Sequence, residues 1–177
     1  MSVSKSIEVR GGVLVAHDGS VHSAAALRTA ARLAEALGAP MTVVRAWGLS
    51  TAPTPPGSSP GYLPPLEDFE AATLAALEHD VSSVRTDHPD LTITTAVVHS
   101  RPAEALVDAS DKVDLLVVGR RGRGGFAGLT LGSVSERVVR YARCPVLVDK
   151  GTRASHDADE VDEHDMMDAL ASELKLD

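Results

Sequence analysis

Apolar and polar residues alternate in blocks along the chain, and these blocks predict strands and helices in turn. The run GVLVAHDGS, within residues 11–20, begins apolar and ends in turn residues, which is typical of a buried parallel strand. The next stretch has apolar residues at helical spacing, until Gly38 and Pro40 end the helix. Residues 41–47 predict a second buried strand.

Residues 48–65 interrupt this pattern. They hold six of the chain's ten prolines and predict a surface loop or linker. A helix is expected after Pro65, with acidic residues in its first turn that favour the helix dipole. Its predicted inner stripe consists of Leu66, Phe69, Thr73, Leu77, Val81 and Val84.

The second half of the chain continues the alternation. Residues 91–98 and 113–119 predict two strands, with a short helix between them that begins at Pro102. After a glycine-rich stretch come a predicted helix over 133–142 and a fifth strand over 145–150. This order predicts a parallel sheet covered by helices on both faces. Such sheets bind ligands beyond the carboxyl ends of the strands, where the strand order reverses.

Composition narrows the class of protein. Of 177 residues, 44% are hydrophobic but only 3% are aromatic, and no basic face is evident, so nucleic-acid binding is not expected. No apolar run reaches the roughly 18 to 20 residues that span a bilayer, and the N-terminus lacks the apolar stretch of a secretory signal. A single cysteine, Cys144, fits a reducing compartment. We therefore expect a cytoplasmic protein without a membrane partner.

The net charge of −8 is concentrated at the C-terminus. Residues 151–177 hold two basic and nine acidic residues, a sum of −7, which leaves −1 for residues 1–150. The chain is therefore divided into one near-neutral domain and an acidic tail. Met167, Leu170 and Leu174 lie at helical spacing in the tail, which is expected to be partly disordered or to form a short helix that docks on a protein partner.

The stretch GRRGRGGFAGLTLG, residues 119–132, carries three arginines and no acidic residue. Phosphate binding requires backbone N–H groups at close range, positive charge and preferably a helix N-terminus. Glycines permit the close approach, the arginines supply the charge, and a helix is expected to begin near Ser133. The stretch therefore predicts an anion site. It is neither a P-loop nor a dinucleotide fingerprint, because it lacks the residue pattern of either motif.

Two structural alternatives and one chemical alternative stand beside this interpretation. Ser133 and Glu136 form the S-x-x-E pattern of a capping box, which any helix start can use. The glycines could likewise serve only a flexible loop. His17, Asp18 and His22 lie close in sequence, but spacing this loose is more typical of incidental residues than of a zinc site.

The spacing G-x2-G-x9-G-S runs from Gly119 to Ser133, follows the strand VDLLVVG and precedes VSERVVRYARCPVLV. In this context it closely resembles the ATP-binding signature of the universal stress protein family. The opening VLVAHDGSVHSAAALRTAARLA and the segment VVHSRPAEAL are also similar to that family, so the resemblance covers about residues 7–149. The chain departs from it at His17 and Arg120, where the family commonly has an apolar and a small residue.

The resemblance implies the fold, the ligand and the residues that bind it. The family's fold is an open five-stranded parallel sheet of order 3-2-1-4-5 with helices on both faces, a Rossmann-like type that binds adenine nucleotides. The implied ligand is ATP, with Asp18 near its ribose or phosphates and Ala46 lining the adenine. Carboxylate oxygens suit Mg²⁺, so Asp18 is also expected to help bind a Mg²⁺ ion carried in with ATP. The implied binding residues are Ala16, Asp18, Ala46, Gly119, Arg121, Gly122, Gly132, Ser133, Val134 and Ser135.

The implied function is that of an ATP-binding regulatory protein of the stress response rather than an enzyme. A weak ATP hydrolase and a nucleotide-independent interaction module remain as alternatives. The order 3-2-1-4-5 puts the fifth strand at an edge of the sheet, where its unpaired backbone groups favour association with a second chain. The resembled family often dimerises through this strand, so a homodimer is expected.

Overall fold

The computed structural model describes residues 3–59, 61–122 and 130–151. Within these ranges strands and helices alternate as the apolar blocks predict. The elements are β1 (Val13–Ala16), α1 (Val21–Leu37), β2 (Met41–Trp47), α2 (Leu66–Asp87), β3 (Ile93–His99), α3 (Pro102–Ala109), a 3-10 turn (Ser110–Lys112), β4 (Leu115–Gly119), α4 (Ser133–Tyr141) and β5 (Val146–Asp149).

The strands form one parallel sheet in the order β3-β2-β1-β4-β5, which confirms the expected fold. β1 lies at the centre, where Val15 is paired with Val43 of β2 and Val117 of β4. From β1 the chain proceeds outward through β2 and β3, and then returns to the other side of β1 to form β4 and β5. The strand order therefore reverses between β1 and β4, and their carboxyl ends mark the point at which such sheets bind ligands.

Helices cover the sheet on both faces, which explains why β1 and β4, in the middle of the sheet, are apolar throughout. Successive strand residues point to opposite faces. Val13 and Val15 belong to a core shared with α1 and α2, whereas Leu14 belongs to a second core shared with α3 and α4. All three side chains are at most 1% exposed, so the two cores meet at β1.

The inner stripe of α2 is confirmed except at its first position. The buried members are Phe69, Thr73, Leu77, Val81 and Val84. Leu66, the first residue of the helix, is 36% exposed, so this part of the prediction is wrong and the buried stripe begins one turn later.

Two glycines determine how α1 and β1 join their neighbours. Gly38 ends α1 in the left-handed conformation, with φ 61°, as its predicted role as a stop signal requires. Gly12 precedes β1 with φ 72°, and a Cβ there would lie 2.3 Å from the carbonyl oxygen of Pro40. That carbonyl accepts a 2.9 Å hydrogen bond from the N–H of Val13. The entry into β1 therefore requires glycine at position 12.

Two sequence-based predictions concern residues outside the described ranges. One is the partly disordered or helical acidic tail, almost all of which lies in residues 152–177. The other is the predicted anion site, whose middle is formed by residues 123–129 of the glycine-rich stretch. Among the described residues, no helix is both long and apolar enough to cross a membrane.

Candidate functional site

The carboxyl ends of the strands open into a cavity of about 790 Å³ at the point where the strand order reverses. Its walls include the turns after β1 and β4, the end of β2 and the first turn of α4. The structure brings all ten residues implicated by the sequence to this cavity: Ala16, Asp18, Ala46, Gly119, Arg121, Gly122, Gly132, Ser133, Val134 and Ser135.

Asp18 is held in place by the turn that connects β1 to α1. Its Oδ1 accepts a 3.0 Å hydrogen bond from the N–H of Ser20, and its own N–H donates to the Ser23 hydroxyl at 3.3 Å. The Ser20 hydroxyl in turn caps α1, accepting from the N–H of Ser23 at 3.2 Å. These bonds fix the carboxylate of Asp18 at the cavity wall.

Gly119 and Gly122 permit close contact between segments, and neither has a positive φ. A Cβ at Gly119 would lie 2.8 Å from the carbonyl carbon and oxygen of His22, so a side chain would push β4 away from α1. A Cβ at Gly122 would lie 2.7 Å from Oδ2 of Asp18. The missing side chains therefore let the loop after β4 reach the turn after β1.

The helix α4 begins at the cavity with a glycine as its N-cap. Because the cap is Gly132, Ser133 is already the first helical residue, and the capping-box interpretation is wrong. The carboxylate of Glu136 instead pairs with Arg140 at 3.3 Å. The first N–H groups of a helix have no partner within it and carry the positive end of its dipole. At α4 these groups belong to residues 133–135, all of which line the cavity.

Ser135 holds the start of α4 against the end of β4. It is buried, and its hydroxyl donates a 2.7 Å hydrogen bond to the carbonyl of Gly119. The N–H of Gly132 bonds to the carbonyl of Arg120 at 2.9 Å, which brings the two ends of the glycine-rich stretch together. These two bonds position the N-terminus of the helix at the cavity.

A buried polar cluster beside the turn after β1 was missed by the sequence analysis. Arg45 of β2 is 7% exposed, and its Nη2 lies 2.5 Å from Oδ2 of Asp80 in α2. The Nε of Arg45 donates to the carbonyl of His17 at 3.2 Å, and Nε2 of His17 lies 3.2 Å from the same Asp80 oxygen. The cluster joins β1, β2 and α2, and both His17 and Arg45 line the cavity.

The surroundings of the cluster determine its charge. Burial and, second, the positive charge of Arg45 lower the pKa of His17 below its ordinary value of 6.5, although Asp80 opposes them. Burial acts to raise the pKa of Asp80, but the hydrogen bond and charge of Arg45 outweigh it and leave this pKa below 3.8. At neutral pH the cluster therefore holds a neutral histidine and a charged Arg–Asp pair. An arginine within an apolar strand was the signal in the sequence, because a buried charge requires a partner.

The end of the cavity away from β4 has walls that the sequence did not indicate. Trp47 ends β2 and packs against His99 at the end of β3, with ring centroids 4.5 Å apart and ring planes inclined by 33°. Gly48 and Thr51 also line the cavity, although they fall in the predicted surface loop. Part of that loop is therefore a wall of the cavity.

Within the described ranges, no group of three or more His, Cys, Asp or Glu residues could hold a metal ion. The zinc arrangement considered for His17, Asp18 and His22 is accordingly not formed. A magnesium ion that arrives with a nucleotide is a different case. Mg²⁺ needs only one or two carboxylates from the protein, because phosphate oxygens and water complete its octahedral shell. The carboxylate of Asp18 fits this chemistry.

The parallel sheet, with its cavity where the strand order reverses, places the chain among the doubly wound α/β proteins. The sequence profile of the universal stress protein family matches residues 11–150, and the chain belongs to this family. The resemblance inferred from the glycine spacing is thereby confirmed at the level of the family.

Two relatives illustrate the extent of the similarity. A universal stress protein from Mycobacterium tuberculosis is 51% identical over 61 residues, which cover 34% of this chain but only 20% of the relative. A universal stress protein from Thermus aquaticus is 38% identical over 143 residues, covering 77% of this chain and 96% of the relative. The match thus covers nearly the whole length of the Thermus protein, but only about a fifth of the length of the mycobacterial protein.

Solved structures share the fold. A universal stress protein in complex with cAMP superposes with a TM-score of 0.58 at 25% identity, covering 82% of this chain and 100% of the other. The universal stress protein from Archaeoglobus fulgidus in complex with dAMP gives a TM-score of 0.54 at 25% identity, covering 81% and 100%.

Proposed function

We propose that this protein binds ATP together with Mg²⁺ across the carboxyl ends of β1 and β4 and acts as a regulatory protein of the stress response. One observation carries the proposal. Arg121 and Gly122 after β4, Asp18 after β1 and the first turn of α4 all line the same cavity. Backbone N–H groups, a helix N-terminus and a basic side chain, Arg121, together suit a phosphate group.

The charges at this end of the cavity explain why a cation is part of the proposal. The carboxylate of Asp18 lies beside Gly122, and Gly122 belongs to the loop that we propose binds the phosphates. Two anionic groups so close together repel each other unless a cation lies between them. Mg²⁺ bound by one carboxylate and by phosphate oxygens removes that repulsion.

The opposite end of the cavity suits the base. Ala46 and its apolar neighbours offer a surface on which an aromatic ring is buried from water. Two members of the family have been solved with adenine nucleotides, cAMP in one case and dAMP in the other. These relatives support an adenine nucleotide as the ligand of this chain, and the triphosphate is our extension from the phosphate end of the cavity.

A binding role rather than catalysis is part of the proposal. Hydrolysis of ATP requires a group that takes a proton from the attacking water. The imidazole of His17 is buried 3.2 Å from Asp80, and the carboxylate of Asp18 is the group proposed to bind Mg²⁺, so we assign neither as this base. Release of phosphate from ATP well above background, abolished by Asp18→Asn, would favour the alternative of a weak hydrolase.

Calorimetric titration and thermal unfolding test the proposal. ATP with Mg²⁺ at about 100 times its dissociation constant stabilises a protein by about 2.7 kcal/mol, which for a domain of this size raises the melting temperature by about 5–10 °C. Gly122→Val should abolish this shift, because even a Cβ would displace Asp18. Arg121→Ala should weaken binding, whereas Arg140→Ala, on the exposed face of α4, should not.

Binding at this cavity is refuted if Gly122→Val and the wild-type protein show the same thermal shift. If ATP, AMP and cAMP all fail to bind the wild-type protein, a nucleotide-independent interaction module is the better description. In that case a protein partner would be sought for the acidic tail.

A further inference from the structure

Residues 3–10 precede the match to the family profile, which begins at residue 11, and they pack against the sheet. Val3 is 9% exposed in the core beside α1 and α2. Ile7 and Val9, which are 4% and 9% exposed, belong to the core beside α3 and α4. Residues 3–10, here named the N-terminal segment, therefore pass from one face of the sheet to the other.

Hydrogen bonds fix both ends of the N-terminal segment. The carbonyl of Ser4 accepts from the N–H of His99 at 2.8 Å, and the N–H of Ser4 donates to the carboxylate of Glu70 at 2.8 Å. At the other end, the N–H of Gly11 donates to the carbonyl of Lys112 at 2.7 Å. The first contacts lie at the carboxyl end of β3 and the last just before β4 begins. The segment therefore crosses the sheet from the end that carries the cavity to the opposite end.

The lengths of the helices explain why this segment is needed. α3 and α4 have eight and nine residues, against 17 and 22 for α1 and α2 on the opposite face. At 1.5 Å per residue the two short helices are about 12 and 14 Å long, whereas the seven-residue strands β2 and β3 are about 23 Å long. Ile7 and Val9 fill this face together with Val44 of β2 and Val98 of β3.

Ile7 differs from Val9 in that it also lines the cavity. It shares both the cavity wall and the surrounding core with Ala46, Ala105 and Leu106. We propose that Ile7 closes the apolar end of the cavity and limits the size of the base that a bound nucleotide can carry. This specificity rests on the nucleotide binding proposed above, and Ile7 lies before residue 11, where the match to the family profile begins.

Ile7→Ala and Val9→Ala form a matched pair, because each removes buried aliphatic atoms from the same core and only Ile7 faces the cavity. Affinities for ATP and for N6-benzyl-ATP are measured by calorimetry in both variants and in the wild-type protein. In Ile7→Ala the ratio of the two affinities should shift about tenfold toward the enlarged base. Val9→Ala should keep the wild-type ratio. An unchanged ratio in Ile7→Ala, or an equal shift in both variants, overturns the proposal.

Two additions keep the test decisive. Ile7→Val removes one methyl group and replaces Ile7→Ala if the larger truncation does not fold. The dye 8-anilinonaphthalene-1-sulfonate, an aromatic anion that is not a nucleotide, is titrated in the folded variants. If no nucleotide binds the wild-type protein, the proposed function has failed and the dye decides the role of Ile7. Dye binding about tenfold tighter in Ile7→Ala than in Val9→Ala supports the proposal that Ile7 closes the apolar end of the cavity. Equal binding to the two variants overturns it.

Discussion

His17 makes the stability of the folded protein depend on pH, because it is buried as a neutral side chain. Its pKa is lowered from 6.5, first by burial and then by the charge of Arg45. An unfolded chain regains the ordinary pKa. As the pH falls below 6.5, the unfolded chain therefore binds a proton that the folded protein does not, and the free energy of unfolding decreases. The decrease continues until the pH passes the lowered pKa of the folded state.

We expect the free energy of unfolding to fall between about pH 7.5 and 5.5, and to fall less in His17→Val. Valine is apolar and suits a buried position, and it removes the titrating group. His79→Gln serves as the control for the loss of a histidine, because His79 lies at an exposed position of α2. Urea denaturation at several pH values measures the effect. A pH dependence in His17→Val as steep as that of the wild-type protein would contradict the assignment.

Which single residues could be predicted depended on whether their role is local. The approach of Gly122 to Asp18 could be expected, because each follows a strand that its local sequence predicts, and ligand sites in such sheets form at the carboxyl ends of the strands, where the strand order reverses. The pairing of Arg45 with Asp80 could not, because it requires knowing which residue of α2 packs over the end of β2. The role of Ile7 was hidden for the same reason. It depends on how much of the sheet α3 and α4 leave uncovered.

At the scale of elements, α2 is fastened to β1 and β2 through Asp80. Asp80→Asn leaves the guanidinium of Arg45 buried without its opposite charge, and the asparagine replaces a charged hydrogen bond with a weaker one. We expect a loss of about 1–3 kcal/mol in the free energy of unfolding. Asp87→Asn, on the exposed end of the same helix, should change it by no more than about 0.5 kcal/mol. Urea denaturation compares the two variants.

A double variant tests whether the lost partner is the cause. Adding Arg45→Met to Asp80→Asn removes the unpaired charge, and part of the lost stability should return. Equal stabilities of Asp80→Asn and Asp87→Asn would mean that the Arg45–Asp80 pair does not fasten α2.

The order of the elements followed from the sequence because each apolar run is bounded by glycine, proline or polar residues. The bounds themselves were less accurate. β4 was expected from residue 113 but begins at Leu115, because Asp114 forms hydrogen bonds with Gly12 before the strand begins. The carboxylate of Asp114 accepts from the N–H of Gly12 at 2.6 Å, and its N–H donates to the Gly12 carbonyl at 2.9 Å. A contact between residues a hundred positions apart decides where pairing begins, and no local pattern records it.

At the scale of the whole molecule, the two edges of the sheet differ. The β3 edge is engaged by other parts of the chain: the N–H of His99 bonds to Ser4, and the hydroxyl of Thr95 bonds to Glu78 of α2. β5 forms the opposite edge, and its four residues are only partly buried in the single chain. An apolar edge strand with unpaired backbone groups favours pairing with another strand. We therefore expect a two-fold homodimer through β5.

The backbone of β5 shows where to break such a dimer. The carbonyls of Pro145 and Asp149 accept bonds from β4, so the alternate residues, Val146 and Val148, direct their N–H groups outward. Val148→Pro removes one outward donor and leaves the pairing with β4 intact, because edge strands accept proline on the side that faces solvent. Thr95→Pro makes the matching change at the β3 edge. Light scattering at micromolar concentration should give a dimer mass for the wild-type protein and Thr95→Pro, and a monomer mass for Val148→Pro. A wild-type monomer, with and without ATP, would exclude the dimer, and a dimer that persists in Val148→Pro would place the interface elsewhere.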